Sequence, residues 1–241
     1  MGLDVNGTQF LLMARASGVD FSRTAMIGRQ KMHLLPQALH TLLERFDYQP
    51  SEGLAQRILE EDNRFAEPFL RMLGATHIDS FDASPYEEAT CIHDMNLPVP
   101  DNLKAKYTVV IDGGTLEHVF NFPVAIRNCM EMIAVGGFYL AITPANNFMG
   151  HGFYQFSPEL YYRVFTAANG FVVEAMYIYE DVPSAQWVRL ADPDVLGRRV
   201  EMVNSKPAYL LVQARKLSSR DIFREYPQQS DYSASWKQQP G

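Results

Sequence analysis

The chain has 241 residues, 47% of them hydrophobic, and its 28 acidic against 21 basic side chains leave a formal charge of −7. A chain of this size buries roughly 70% of the surface it exposes when unfolded, so it needs no disulfide or metal staple. The acidic balance repels phosphate backbones, no Lys/Arg cluster interleaved with aromatics offsets it, and no apolar run approaches the roughly 20 residues of a membrane span; nucleic acid and membrane are therefore poor partners and a small molecule is the better one.

Taken in chain order, Phe10, Leu11, Leu12 and Ala14 predict a short helix over 5–16 that Gly18 ends. Thr24-Ala-Met-Ile-Gly28 is a buried strand stopping at a glycine turn. Leu35, Leu39, Leu42, Leu43 and Phe46 recur at helical spacing, with Pro36 where a first turn tolerates it. Ser51 is the expected cap of a second helix through Leu54, Ile58 and Leu59, and the stripe Phe65, Phe69, Leu70 and Leu73, interrupted by Pro68, ends at Gly74. Four short runs then end in acidic or turn residues: 76–82, 89–94, 107–112 and 138–143. A helix from Pro123 to Val135, closed by Gly136-Gly137, separates the last two and implies a right-handed parallel crossover. Ser157-Pro158-Glu159 starts a further helix that stops at Asn169-Gly170, and strands follow at 171–179 and 208–215. Between those strands, 180–206 is long for a loop, and from Leu217 the polar composition predicts a mobile tail. The boundaries are therefore one domain over 1–216, with insertions at 31–74 and 180–206, and a tail over 217–241.

Residues 1–17 lack the basic start and apolar block of a secretory signal, and Cys91 and Cys129 fit a reducing, cytoplasmic setting as core thiols. Trp187 falls in the long insertion and Trp236 in the tail, where partner contact is conceivable. The six histidines, His33, His40, His77, His93, His118 and His151, show no zinc-like pairing with cysteines or closely spaced carboxylates, so no metal is expected.

Alternating strands and helices predict a doubly wound α/β domain, whose ligand lies in the crevice beyond the carboxyl ends of the strands. Asp82, Asp94 and Asp112 fall on that rim. Here Tyr107-Thr-Val-Val-Ile-Asp-Gly-Gly-Thr-Leu-Glu-His-Val119, then Asn121 and a helix ending in Ala134-Val-Gly-Gly-Phe-Tyr-Leu140, resembles the class I S-adenosylmethionine-dependent methyltransferases. The resemblance covers residues 24–216 in the order of elements, and its distinctive motifs lie within 82–144. It implies a doubly wound, mostly parallel seven-stranded sheet (the Rossmann-like methyltransferase fold), S-adenosyl-L-methionine as cofactor, and methylation of a small-molecule acceptor in biosynthesis. Asp82, in Phe81-Asp-Ala-Ser-Pro-Tyr-Glu87, matches the acid that binds both ribose hydroxyls, with Ala83 beside it. Asp94 and Met95, in His93-Asp-Met-Asn-Leu-Pro98, match the adenine end. Gly28, Arg29, Gln30, Asp112, Gly113, Gly114 and His118 complete the implied cofactor contacts.

The physics agrees with these assignments: one ionised carboxylate accepts from two vicinal hydroxyls, and an acidic, aromatic crevice favours a sulfonium. One departure stands out. The family's glycine-rich loop is here Ile27-Gly-Arg-Gln-Lys31, in which only Gly28 survives, and the helices of 31–74 form an insertion or lid. Arg29 could pair with the methionine carboxylate, bind an acidic substrate or make an ordinary ion pair. The loop 143–157 borders the acceptor, with His151 as candidate base and Tyr154 and Asn147 as its orienters.

Structural alternatives stand beside each assignment. Asp82 could cap a helix near Pro85, Gly113 and Gly114 could serve only their turn, His118 could pack behind the rim, and His151 could fold its own loop. Three functions compete: O- or N-methylation, an intramolecular cyclase or lyase reaction releasing methylthioadenosine, and an inactive scaffold that binds a partner protein. A homodimer is compatible with each. A nicotinamide dehydrogenase ranks last because no G-x-G-x-x-G follows the first strand.

Overall fold

The structure, a computed structural model, describes residues 2–182 and 185–232. A two-residue strand β1 (Gly2–Leu3) leads into α1 (Val5–Ala16), whose first turn is capped by Asp4 Oδ1 accepting the Gly7 N–H at 2.7 Å. The apolar run after it is β2 (Arg23–Ile27), and β3 (Lys31–Met32) returns to pair in parallel with β1. Three helices follow: α2 (Pro36–Arg45), α3 (Leu54–Glu60) and α4 (Glu67–Met72). Then come β4 (His77–Asp82), β5 (Cys91–Ile92), β6 (Tyr107–Asp112), α5 (Phe122–Met132) and β7 (Ile133–Asn146). The chain finishes with α6 (Pro158–Val164), β8 (Phe171–Glu180), β9 (Val188–Arg189), α7 (Pro193–Leu196) and β10 (Ala208–Lys216).

The main sheet has eight strands in the order β5-β4-β2-β6-β7-β10-β8-β9. Pairs from β5 to β7 are parallel, and the last three are antiparallel. It is the α/β architecture expected, with one strand more because the 180–206 stretch contributes β9 at the edge. Successive residues of the central strands face opposite layers, as a pleat requires. Val110, Tyr139 and Val212 join α5 and α6 in one core, while Val109, Leu140 and Leu211 join α1 to α4 in the other. Both faces are covered, so the strands read as continuous apolar runs.

Four local readings change in the structure. Ser51 does not cap the second helix. The chain enters α3 through Gly53 at φ +72°, the Leu54 N–H bonds to the Ser51 carbonyl, and Ser51 Oγ accepts from Arg57 instead. α5 stops at Met132, because Ile133 already pairs with Tyr107 and the chain then crosses close to β6. A Cβ on Gly137 would meet the Thr108 carbonyl oxygen at 2.7 Å, so Gly137 serves that crossing, while Gly136 supplies the turn at φ +89°. Residues 217–232 dock on the domain rather than hang free. The Leu217 N–H donates to the Gly170 carbonyl at 2.7 Å, Ile222 is buried, and Ser230 bonds the Glu159 carboxylate through N–H and hydroxyl. Trp187 packs beside Phe10 and Tyr177 and donates to Asn6 Oδ1 at 3.0 Å, whereas Trp236 lies outside the described residues. Cys129 is a buried free thiol and Cys91 a half-buried one. Among the described residues no helix is long and apolar enough to cross a membrane.

Candidate functional site

Strand order reverses between β2 and β6: from β2 the chain proceeds outward to β4 and β5, then returns to β6 on the other side. At such a switch point the loops leave in opposite directions and open a crevice at the carboxyl ends. Gly28 ends β2 at φ +74° and donates its N–H to the Phe81 carbonyl at 2.7 Å, which ties the rims of β2 and β4 together. The β2 and β6 loops are in near contact. A Cβ on Gly28 would meet Thr115 Oγ1 at 2.5 Å, and one on Gly113 would meet Gln30 Oε1 at 2.5 Å. Gln30 Nε2 donates to the Ile27 and Gly28 carbonyls at 2.8 and 3.1 Å, which leaves Gln30 Oε1 buried with no hydrogen-bond partner among the described residues.

Arg29 is already spent. Its Nε reaches Glu67 at 2.7 Å, its Nη2 reaches Asp62 at 2.8 Å, its Nη1 donates to the Glu87 carbonyl, and its guanidinium lies 3.8 Å over the Phe65 ring. It is an internal ion pair, and the ligand roles considered for it do not hold, because every edge of its fork is occupied. Asp82 sits at the end of β4, half-exposed, with Oδ1 accepting the Ser84 N–H at 2.9 Å. That is an Asx turn rather than a helix cap, and the chain continues as a loop through exposed Ala83. Asp94 is exposed at the end of β5 and folds onto Asn96, while Met95 points into the core.

Asp112 is fully buried. Its carboxylate accepts from the Thr115 and Leu116 N–H groups at 2.9 and 3.3 Å and from the Tyr139 hydroxyl at 3.2 Å. The expectation that it touches a ligand gives way to a loop-holding role, since β6 is a central strand and its last side chain is sealed under the turn it holds. Burial raises its pKa above the carboxylate range despite those bonds.

The turn at 116–118 places Glu117 and His118 side by side, and His151 joins them from the loop after β7. Glu117 Oε1 lies 3.7 Å from His151 Nε2 and 3.9 Å from His118 Nε2. The two loops are clamped through backbone, the Phe153 and Tyr154 N–H groups donating to the Glu117 carbonyl at 2.8 and 3.2 Å. Burial, with the nearby Asp112, pushes the Glu117 carboxyl up, and burial beside His151 lowers His118. Tyr154 and Asn147 do not orient His151. The Tyr154 hydroxyl donates to the Phe120 carbonyl at 2.6 Å, and Asn147 Nδ2 donates to the Lys206 carbonyl at 2.9 Å, so both hold neighbouring backbone. Glu117 is the residue that sequence reasoning passed over. Its one signal was an acid next to a histidine just beyond a strand end.

No protein-family model and no curated protein matches the chain. In fold it is similar to the branched-chain polyamine synthase of Thermus thermophilus, at TM-score 0.46 and 11% identity, over 90% of this chain and 57% of that one. It is also similar to TehB of Haemophilus influenzae, at TM-score 0.41 and 16% identity over 72% and 65% of the two chains. A Bacillus halodurans protein assigned as a methyltransferase gives TM-score 0.44 and 9% identity over 87% and 99%. The chain thus spans little more than half the length of the Thermus protein. With its parallel strands around a central switch point, its antiparallel final strands and its helices on both faces, the chain has a doubly wound, Rossmann-like α/β fold.

Proposed function

We propose that the chain is an S-adenosylmethionine-dependent methyltransferase for a small-molecule acceptor. The observation that carries this reading is the polar rim at the switch point. Gln30 Oε1 is an orphaned acceptor beside Gly113, and on the adjoining strand end Asp82 engages only its own turn. These residues fit the cofactor at both ends. A ribose diol needs a carboxylate able to accept two hydroxyls, which Asp82 supplies through Oδ2. A methionine ammonium needs an acceptor, which the buried Gln30 Oε1 supplies where the β2 and β6 loops part. The exposed Ile92 and Leu97 near the end of β5 offer an apolar wall to a purine.

When bound, the cofactor supplies an electrophilic methyl group. The chain's own part is positioning, which dominates in-line displacement. Beside the half-exposed His151, Phe148 lies 5.4 Å away ring to ring, and in the same loop exposed Phe153 packs edge-on against exposed Phe120, an apolar surface suited to holding an acceptor and displacing water. The acceptor's proton is taken up at the Glu117, His118 and His151 group.

Calorimetry with S-adenosylmethionine and adenosylhomocysteine tests the reading. Wild type is expected to bind both, and Asp82→Ala to bind at least about tenfold more weakly, or roughly 1.4 kcal/mol. Absence of binding by well-folded wild type overturns the proposal, and steady release of methylthioadenosine from S-adenosylmethionine alone would move the chemistry to the intramolecular reaction.

A further inference from the structure

The geometry points to a divalent transition-metal site formed by Glu117, His118 and His151. Two imidazoles and one carboxylate converge there with all their ligand atoms within 4.8 Å of one another. The ring centroids of His118 and His151 are 5.2 Å apart with the planes inclined at 55°, and the Nε2 of each ring lies within 4 Å of Glu117 Oε1.

An independent observation asks for a cation. Glu117 is 1% exposed, and neither of its carboxylate oxygens has a hydrogen-bond partner among the described residues. Burying a carboxyl group with neither oxygen hydrogen-bonded costs a few kcal/mol whether or not it holds a proton, and a bound cation removes that cost. The two histidines do not satisfy it as ordinary donors, because 3.7 and 3.9 Å exceed hydrogen-bond length. Those separations instead match ligands around an ion. Bonds of about 2.1 Å in a tetrahedral site put ligand atoms ~3.4 Å apart, a few tenths of an ångström from the two Glu117–histidine separations, and rotation of the half-exposed histidine side chains draws the whole set, within 4.8 Å, onto one ion.

The site is also built to hold its shape. Asp112 fixes the turn that carries Glu117 and His118, and the two hydrogen bonds to the Glu117 carbonyl fix the loop that carries His151. Gly152 permits that clamp, since a Cβ there would stand 2.8 Å from the Glu117 carbonyl oxygen. The buried carboxylate closes the inner side, and the histidine side chains, each 37% exposed, leave the outer side open to solvent.

The donor set selects the ion. Imidazole with one carboxylate suits zinc, iron(II), cobalt(II) or manganese(II), whereas magnesium and calcium take mainly oxygen. Three protein ligands leave at least one position for water or an acceptor oxygen, whose proton the ion would loosen. With an ion there, His151 would serve as a ligand rather than as the base, and the acceptor's proton would pass to solvent water. The site stands whether or not the rim binds the adenosyl cofactor.

The test uses chelator-treated full-length protein with no adenosyl ligand present, titrated with cobalt(II) and followed by its visible absorption, with zinc competition and elemental analysis. Wild type is expected to take up one equivalent of cobalt that zinc displaces. Glu117→Gln and His151→Ala are expected to weaken binding at least about tenfold, while Asp82→Ala binds as wild type. Circular dichroism melts confirm folding of each variant. Should Glu117→Gln fail to fold, His151→Ala decides, since its side chain is half-exposed. No stoichiometric uptake by wild type, or uptake unchanged in the folded variants, overturns the site. Loss of cobalt binding in Asp82→Ala as well would place the ion elsewhere.

Discussion

Asp79 shows how one side chain near the amino end of a strand can set the acid stability of the domain. Its Oδ2 accepts from Lys106 Nζ at 2.8 Å, from the Tyr107 hydroxyl at 2.6 Å and from His77 Nε2 at 2.9 Å. Burial would raise its pKa, yet these hydrogen bonds outweigh it and hold the carboxyl at about 2. A carboxyl depressed in the folded state stabilises above its unfolded pKa near 4 and loses that contribution as pH falls toward 2. Asp79→Asn is therefore expected to cost on the order of 2 kcal/mol at pH 7 and to flatten the stability profile between pH 4 and 2. Urea midpoints across that range check it, and an unchanged slope would reject the assignment. Gly28→Ala is expected to lower stability by about 1–2 kcal/mol in a thermal melt, because φ +74° disfavours a Cβ and Thr115 Oγ1 stands in its place. At this scale the sequence showed that Asp82 and Asp112 end strands. It did not show that one is half-exposed and the other sealed, because that depends on how far each loop folds back over its strand.

At the scale of elements, the segment between β2 and β4 is a packed crossover whose α2, α3 and α4 bury Leu39, Leu43, Ile58 and Phe69 against the sheet. Its tightest stretch is 62–64, where Asp62, Asn63 and Arg64 all adopt positive φ, between 50° and 68°. Two arginines hold it. Arg29 grips Asp62 and Glu67, and Arg64 donates to the Met32 and Leu34 carbonyls. Arg29→Leu strands Glu67, 7% exposed, as a buried unpaired acid and is expected to cost about 3–5 kcal/mol. Chemical denaturation measures this, and a loss below about 1 kcal/mol would show that the pair is dispensable. The helices themselves were legible from apolar spacing, Pro36 and Gly74. The ion pair was not, because Arg29 and Glu67 are brought together only by the crossover.

Across the whole molecule, the chain after β10 closes the face that carries α6. Ile222 is buried, and the Phe223 N–H donates to Asn169 Oδ1 at 2.9 Å. Ending the chain at Lys216 is expected to cost about 2–3 kcal/mol, the burial of Ile222 being the larger part, with a matching fall in denaturation midpoint. A truncated chain as stable as the whole would show that 217–232 adds nothing.

The order of strands and helices, the glycine stops and the acids at strand ends all follow from local pattern, because apolar periodicity and backbone freedom are properties of neighbouring residues. Polar composition misled over 217–232, where buried Ile222 and hydrogen bonds from Leu217, Phe223 and Ser230 dock the segment; 233–241 lie outside the described residues. The meeting of Glu117 and His118 with His151, the engagement of Arg29 and the sealing of Asp112 belong to the tertiary structure. The first requires loops from two strand ends to face one another, the second the path of the β2–β4 crossover, and the third the fold-back of one loop beside Tyr139 of the adjacent strand, so strand order and packing, rather than spacing along the chain, decide them.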